Sequence, residues 1–287
     1  MLSRLRKSKM VKCKPSKNIK GIILDVAGTF IDPFVVAPTS NFVKAFKTHG
    51  LDISTKSTRL HMGLSKDIHI QKMVQLPEIK QQLSNIAYSK GCFEVPTVDD
   101  LYDEFHRLEK QTVGKHTTLI YGAYSTIQQL QNQKIKFGIT TGYNREILNM
   151  ILKDVDLQNI RFDSHVTSDE VSRARPAPFM IWKNMENLKI INAKHILKVD
   201  DTNPGIEEGH NAGCWTCAVV NTSAYMNVDS WDHFYSLSEK ELAVKQKESK
   251  RKIMKSKPHF IIDDISQLPL VVNAINQQNF FPSAAFL

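Results

Sequence analysis

Four stretches of this chain end in residues that could act together on a phosphoryl group. Asp25 stands near the end of the apolar run Gly21-Ile-Ile-Leu-Asp-Val26. Thr140, Thr141 and Gly142 end a second run that begins at Lys136. Arg175 follows a shorter one, Ser164 to Ser168, and Asp200-Asp201 close another that begins at His195. The set supplies a carboxylate nucleophile, hydroxyl and backbone donors, a guanidinium fork and two further carboxylates. Phosphoryl transfer with Mg2+ asks for these groups: hard oxygens for the cation, donors for the equatorial oxygens and a carboxylate to attack. A lone aspartate at a strand end is often only a helix N-cap. Agreement among four strand ends carries the reading.

These residues converge only if the runs are parallel strands. Gly21–Val26 and Lys136–Thr141 read as buried strands, continuous and rich in β-branched residues, as do His195–Asp200, Cys214–Val220 and His259–Ile262. Helical patterns separate them at 143–155, 177–188 and 203–213, the last with Pro204 near its start and Gly213 at its end. Alternation of this kind implies an α/β fold with a parallel sheet and helices on both faces. Ligands then bind beyond the carboxyl ends of the strands, where the named residues fall.

One interval breaks the alternation. More than a hundred residues separate Asp25 from Thr141, whereas a parallel crossover needs about a dozen or more. The interval reads as helices at 40–50, 66–75, 77–91 and 97–111, with Gly50 and Gly91 at C-cap positions. The expected organisation is a basic tail at 1–19, an α/β core at 20–37 and 116–287, and an all-helical cap inserted at 38–115.

The net charge of +9 is local. Residues 1–24 hold eight Lys/Arg and no acid, and residues 240–257 hold eight against two acids, so the remainder of the chain stands at −5. The second run reads as one face of a surface helix. No aromatic platform or base-reading motif accompanies either, so nucleic acid is not an expected partner. No apolar run reaches the ~18 residues of a membrane span, and no membrane partner is expected. The tail is compatible with a disordered segment in a cytoplasmic protein or with a weak mitochondrial transit peptide. Cys214-Trp-Thr-Cys217 lacks a second pair at zinc spacing and reads as structural.

Ile22-Ile-Leu-Asp-Val-Ala-Gly-Thr29, Ile139-Thr-Thr-Gly-Tyr143, Arg175 and Val199-Asp-Asp-Thr-Asn-Pro-Gly205 resemble the four motifs of the haloacid dehalogenase superfamily. Asp-x-Ala-Gly-Thr at 25–29 with Met-Gly-Leu-x-Lys at 62–66 narrows the resemblance to the phosphonatase family, over about Lys20 to Val272. The resemblance implies a Rossmann-like parallel core under a helical cap, Mg2+, a homodimer joined through the cap, and cleavage of the carbon–phosphorus bond of phosphonoacetaldehyde. Asp25 would attack phosphorus and bind Mg2+. Ala27 would offer its backbone carbonyl to the metal, with Asp201 as ligand and Asp200 as ligand or neighbour. Thr141, Gly142 and Arg175 would hold the phosphoryl oxygens, with Met62 and Tyr143 beside the substrate. Lys66, at the start of a cap helix, would form an imine with the aldehyde, and His69, three residues on, is a candidate for proton transfer.

The chemistry is consistent with Ala27. A phosphoester leaves as an alkoxide, which the second aspartate of ordinary phosphatases protonates. Here the leaving atom is carbon, and a protonated imine accepts the electrons instead, so an acid at residue 27 has no task. The sequence departs from the family pattern in three places. Gly205 stands where some members carry a further aspartate, and Phe30 and Val35 replace small or polar residues, which could alter the pocket. The competing readings are a phosphatase of a small phosphoester, which the missing acid disfavours, and a relative that kept the fold without the activity.

Overall fold

The structure, a computed structural model, describes residues 18–90 and 94–277. The basic tail up to residue 17, with the transit-peptide reading, and the Gly91 cap lie outside the described residues. Six strands form one sheet: β1 (Gly21–Leu24), β2 (Lys136–Thr141), β3 (Ser164–Thr167), β4 (Ile196–Asp200), β5 (Trp215–Val219) and β6 (Phe260–Ile262). All pairings are parallel, in the order β3-β2-β1-β4-β5-β6. The order reverses between β1 and β4, and that switch point is where an open sheet leaves a crevice. β1 is buried along its whole length, as its unbroken apolar run requires.

Twelve α-helices are described: α1 (Val36–Thr48), α2 (Thr55–Thr58), α3 (Lys66–Met73), α4 (Pro77–Lys90), α5 (Val98–Thr112), α6 (Ala123–Asn132), α7 (Arg145–Leu157), α8 (Phe179–Leu188), α9 (Asn203–Asn211), α10 (Trp231–Ser236), α11 (Glu239–Ile253) and α12 (Leu268–Asn276). The basic run lies on α11, which starts in a capping box between Ser238 and Glu241. Sequence patterning did not single out α2, α10 or α12. Cys214 and Cys217 are buried free thiols, and burial pushes Cys214 up to about 12, which leaves both inert.

α1 to α5 all fall between β1 and β2. They enclose an apolar cluster of their own, including Phe42, Phe46, Ile70, Met73, Leu101 and Phe105. Two linkers tie this lid to the core. The first holds Asp32, Phe34 and Val35 at φ of 44°, 65° and 54°, a conformation that costs a β-branched residue dearly. Asp32 in this linker meets His116 of the returning linker at 3.3 Å. Ile31 bridges Leu119 alongside them. No described helix is long and apolar enough to cross a membrane.

Candidate active site

β1 and β4 place three buried carboxylates at the switch point. Asp25 directly follows β1, its amide donating to the Val199 carbonyl of β4 at 2.9 Å. Asp200 ends β4 and Asp201 follows. An oxygen from each lies within 4.8 Å of the others. The first of these carboxyls is pushed up to about 6 by burial and by Asp200, against the pull of Arg175. Burial and the neighbouring Asp25 and Asp200 raise Asp201 well above the usual carboxylate range. Asp200 is the exception. Burial opposes ionisation there too, but Arg175 and Lys198 hold it below its ordinary value.

Arg175 links this cluster to the rest of the site. Its Nη1 stands 2.8 Å from Asp25 Oδ1 and its Nε 3.0 Å from Glu208 Oε2. Nη2 donates to the Thr140 carbonyl at 2.5 Å and to its hydroxyl at 3.0 Å. Lys198, fully buried, stands 3.0 Å from Asp200 Oδ2 and donates to Thr140 Oγ1 at 2.7 Å. Sequence reasoning gave no role to Lys198 or Glu208, and took Thr140 only as one of the hydroxyl donors at the end of β2. A signal existed for Glu208, because it sits on the buried face of α9 with Ile206 and Gly209, where an unpaired carboxylate is not tolerated. Fully ionised, Asp25, Asp200, Asp201 and Glu208 would exceed Arg175 and Lys198 by two negative charges, a crowding that agrees with the raised Asp25 and Asp201. Asp201 Oδ1 has no hydrogen-bond partner. A divalent cation fits both observations, with Asp25, Asp201 and Asp200 as the residues able to hold it.

Gly205 explains its own departure from the family pattern. A Cβ there would lie 1.8 Å from Asp200 Oδ2. The carboxylate at the end of β4 fills the space that a side chain on α9 would need.

The lid closes over these groups. Lys66 is the first residue of α3 and only 8 % exposed. Its Nζ lies 4.7 Å from the ring centre of Tyr143, 5.7 Å from Phe42 and 5.8 Å from Phe105. Burial among these rings lowers its affinity for a proton, while Glu109 and Asp25 partly restore it. The nearby charges therefore mostly oppose the shift, and burial drives it. Asp25, Ala27, Val35, Met62, Lys66, Thr141, Gly142, Tyr143, Arg175 and Asp201 line one small cavity of about 20 Å3, with room for about one water. Glycine at 142 permits the closure, since a Cβ there would lie 2.5 Å from the Leu64 carbonyl of the lid.

Two expectations shift. His69 is fully buried against Phe42 but is not in that cavity wall; its Nε2 lies 2.8 Å from the Thr58 carbonyl. Burial and Lys66 push it well below the usual histidine range. Phe30 points into the core against Phe162, ring centres 5.2 Å apart, and is likewise absent from the wall, whereas Val35 does line it. Arg59 was not anticipated. Almost fully buried, it crosses from the lid to donate to Asn227 Oδ1 at 2.8 Å and the Val228 carbonyl at 2.7 Å.

A buried carboxylate at the switch point, under a helical lid inserted after the first strand, is the arrangement of a particular hydrolase class. A family model for haloacid dehalogenase-like hydrolases matches residues 22–219, and the chain belongs to that family. Within it, the similarity lies with phosphonoacetaldehyde hydrolases. The chain is 34 % identical over 264 residues to the phosphonoacetaldehyde hydrolase of Parabacteroides distasonis, covering 92 % of this chain and 99 % of that one. It is also 34 % identical over 262 residues to that of Vibrio parahaemolyticus, covering 91 % and 96 %. The crystal structure of a phosphonoacetaldehyde hydrolase-like protein from Oleispira antarctica superposes with a TM-score of 0.85 at 30 % identity, covering 92 % of this chain and 94 % of that one. The relatives named here are bacterial, and nothing in them supports the mitochondrial reading.

Proposed function

We propose that this enzyme hydrolyses the carbon–phosphorus bond of phosphonoacetaldehyde to acetaldehyde and phosphate, through a Lys66 imine and an Asp25 phospho-enzyme. The observation that carries the proposal is a buried amine in the same small cavity as a buried carboxylate, with Ala27 where a leaving-group acid would stand. The aromatic wall favours the neutral amine, which attacks the aldehyde carbon and expels water. Asp25 then attacks phosphorus in line, and the electrons of the breaking bond pass into the protonated imine to give an enamine. Arg175 and the Thr141–Gly142 backbone steady the phosphoryl oxygens, as charge-assisted donors do for developing anionic charge. Bound Mg2+, held by Asp25, Asp201, the Ala27 carbonyl and Asp200, would screen the nucleophile from the phosphoryl anion. Protonation of the enamine carbon and addition of water return Lys66 and release acetaldehyde, and a second water attacks phosphorus, breaks its bond to the Asp25 carboxylate and releases phosphate.

The cavity holds less volume than the substrate, so the lid opens to admit it. We place the enzyme in the cytoplasm as a homodimer joined through the lid; sedimentation of the purified chain as a monomer would remove that element. The test of the chemistry is borohydride reduction in the presence of phosphonoacetaldehyde, followed by peptide mapping. An adduct on Lys66 is expected. An adduct elsewhere, or none despite turnover, overturns the mechanism.

A further inference from the structure

The lid side of the site holds a carboxylate to which the chemistry above gives no task. Glu109 lies on α5 one turn beyond Phe105, whose ring forms part of the Lys66 wall. It is 3 % exposed, and its Oε1 has no hydrogen-bond partner. Its Oε2 stands 3.8 Å from His106 Nδ1. The His106 ring, partly exposed, reaches Glu146 Oε2 at 3.0 Å through its other nitrogen. With Lys66, Tyr102, Asn144 and Arg175, Glu109 lines a cleft of about 700 Å3 between α3, α5 and the loop after β3. A buried carboxylate with a bare oxygen is costly unless it has work to do. Of the charges around Lys66, Glu109 acts most strongly on the amine, ahead of Asp25.

We propose that Glu109 exchanges protons with the Lys66 amine during imine formation, and that His106 links Glu109 to solvent. The proposal rests on the Lys66 imine. The ammonium gives a proton to the Glu109 carboxylate, leaving a free amine and a carboxylic acid. The nitrogen lone pair forms the C–N bond, the carbonyl π electrons move to oxygen, and the acid protonates that oxygen. The carboxylate next removes a proton from nitrogen and passes it to the departing hydroxyl. Water leaves, and the nitrogen lone pair closes the protonated C=N bond. Glu109 ends as it began, and no redox partner is needed. His69 is less suited to this work, since one ring nitrogen is taken by Thr58 and burial disfavours its protonation.

The charged and titratable groups around Glu109 are Lys66, Asp67 and Lys72 of α3, Tyr102, His106 and Lys110 of its own helix, Tyr143 and Glu146 of the core, and Asp169, Arg173 and Arg175 across the cleft. A carboxylate that merely stood near Lys66 would, when removed, free the amine and speed its capture. Loss of a proton carrier slows it. The experiment follows the rate of borohydride-trapped Lys66 adduct against pH, for the full-length enzyme with phosphonoacetaldehyde. Glu109→Gln is expected to form the adduct roughly 100-fold more slowly, with a flattened pH profile, and Glu109→Asp to recover part of the rate. His106→Gln, at a partly exposed site, is expected to shift the profile and serves as the deciding variant if Glu109→Gln does not fold. Trapping at or above the wild-type rate with an unchanged profile overturns the proposal. Absence of a Lys66 adduct in the wild-type enzyme would instead defeat the imine reading beneath it.

Discussion

Replacing Gly205 by alanine tests whether the end of β4 has taken over a place that α9 fills in other members. The new methyl would lie 1.8 Å from Asp200 Oδ2 and 2.0 Å from its Cγ. Asp200 cannot simply swing aside. Thr202 holds its other oxygen through the backbone amide at 3.0 Å and the hydroxyl at 2.7 Å, and Lys198 stands 3.0 Å from Oδ2. Turning the carboxylate away breaks a buried ion pair, which costs about 3–5 kcal/mol. Shifting α9 instead is overpacking, at about 1–3 kcal/mol. The chain takes the cheaper route, so a loss near 2 kcal/mol is expected. For a protein of this size that lowers the melting midpoint by roughly 4–8 °C. Differential scanning calorimetry of Gly205→Ala measures it directly. Asp200→Gly combined with Gly205→Asp should recover Mg2+-dependent stabilisation that Gly205→Asp alone lacks. A midpoint for Gly205→Ala within 1 °C of wild type, or a double variant no better than Gly205→Asp, would refute the reasoning.

Three further outcomes are expected. Ala27→Asp should pair with Lys66, keep it protonated and reduce acetaldehyde release by roughly 100-fold or more; full retention of activity would show that residue 27 does not govern the amine. Asp25 has its carboxyl raised from 3.8 to about 6. The folded state therefore binds the extra proton between those values, and stability falls as pH rises through that window. Asp25→Asn should then be more stable than wild type above pH 7 by on the order of 3 kcal/mol in metal-free buffer, and should lose stabilisation by Mg2+; equal denaturant midpoints would contradict it. Arg59→Ala removes three bonds between lid and core, to Asn227, the Val228 carbonyl and Asp229, of which the one to the Val228 carbonyl is fully buried and worth about 1.5–3 kcal/mol. Faster amide exchange across α2 and α3 is expected, and unchanged protection would show that other contacts hold the lid shut.

The strands were legible because burial on both faces favours a continuous apolar run, which β1 is and which β2 and β4 approach, β4 broken by Lys198. Their carboxyl ends then pointed to Asp25, Thr141 and Asp201 without any knowledge of the fold. α5 was legible as a helical pattern at 97–111, and α11 from its run of basic residues. α12 was missed because its run, Leu-Pro-Leu-Val-Val, reads as readily as a strand. The partners of Arg59 lie 168 to 170 residues away and include a backbone carbonyl, which no local pattern encodes. Lys198 and Glu208 form a buried pair across two elements, and residue type alone does not distinguish them from surface charges. Phe30 was misjudged because a single aromatic carries no information about which way a loop turns.

The Lys66 wall is assembled from both halves of the molecule. Phe42 and Phe105 belong to the lid, but the nearest ring, that of Tyr143, belongs to the core. On the proposed chemistry, opening the lid would withdraw Tyr143, let water reach the amine and raise its affinity for a proton. A stray aldehyde meeting the open site would then face a less reactive amine than a substrate enclosed by both halves.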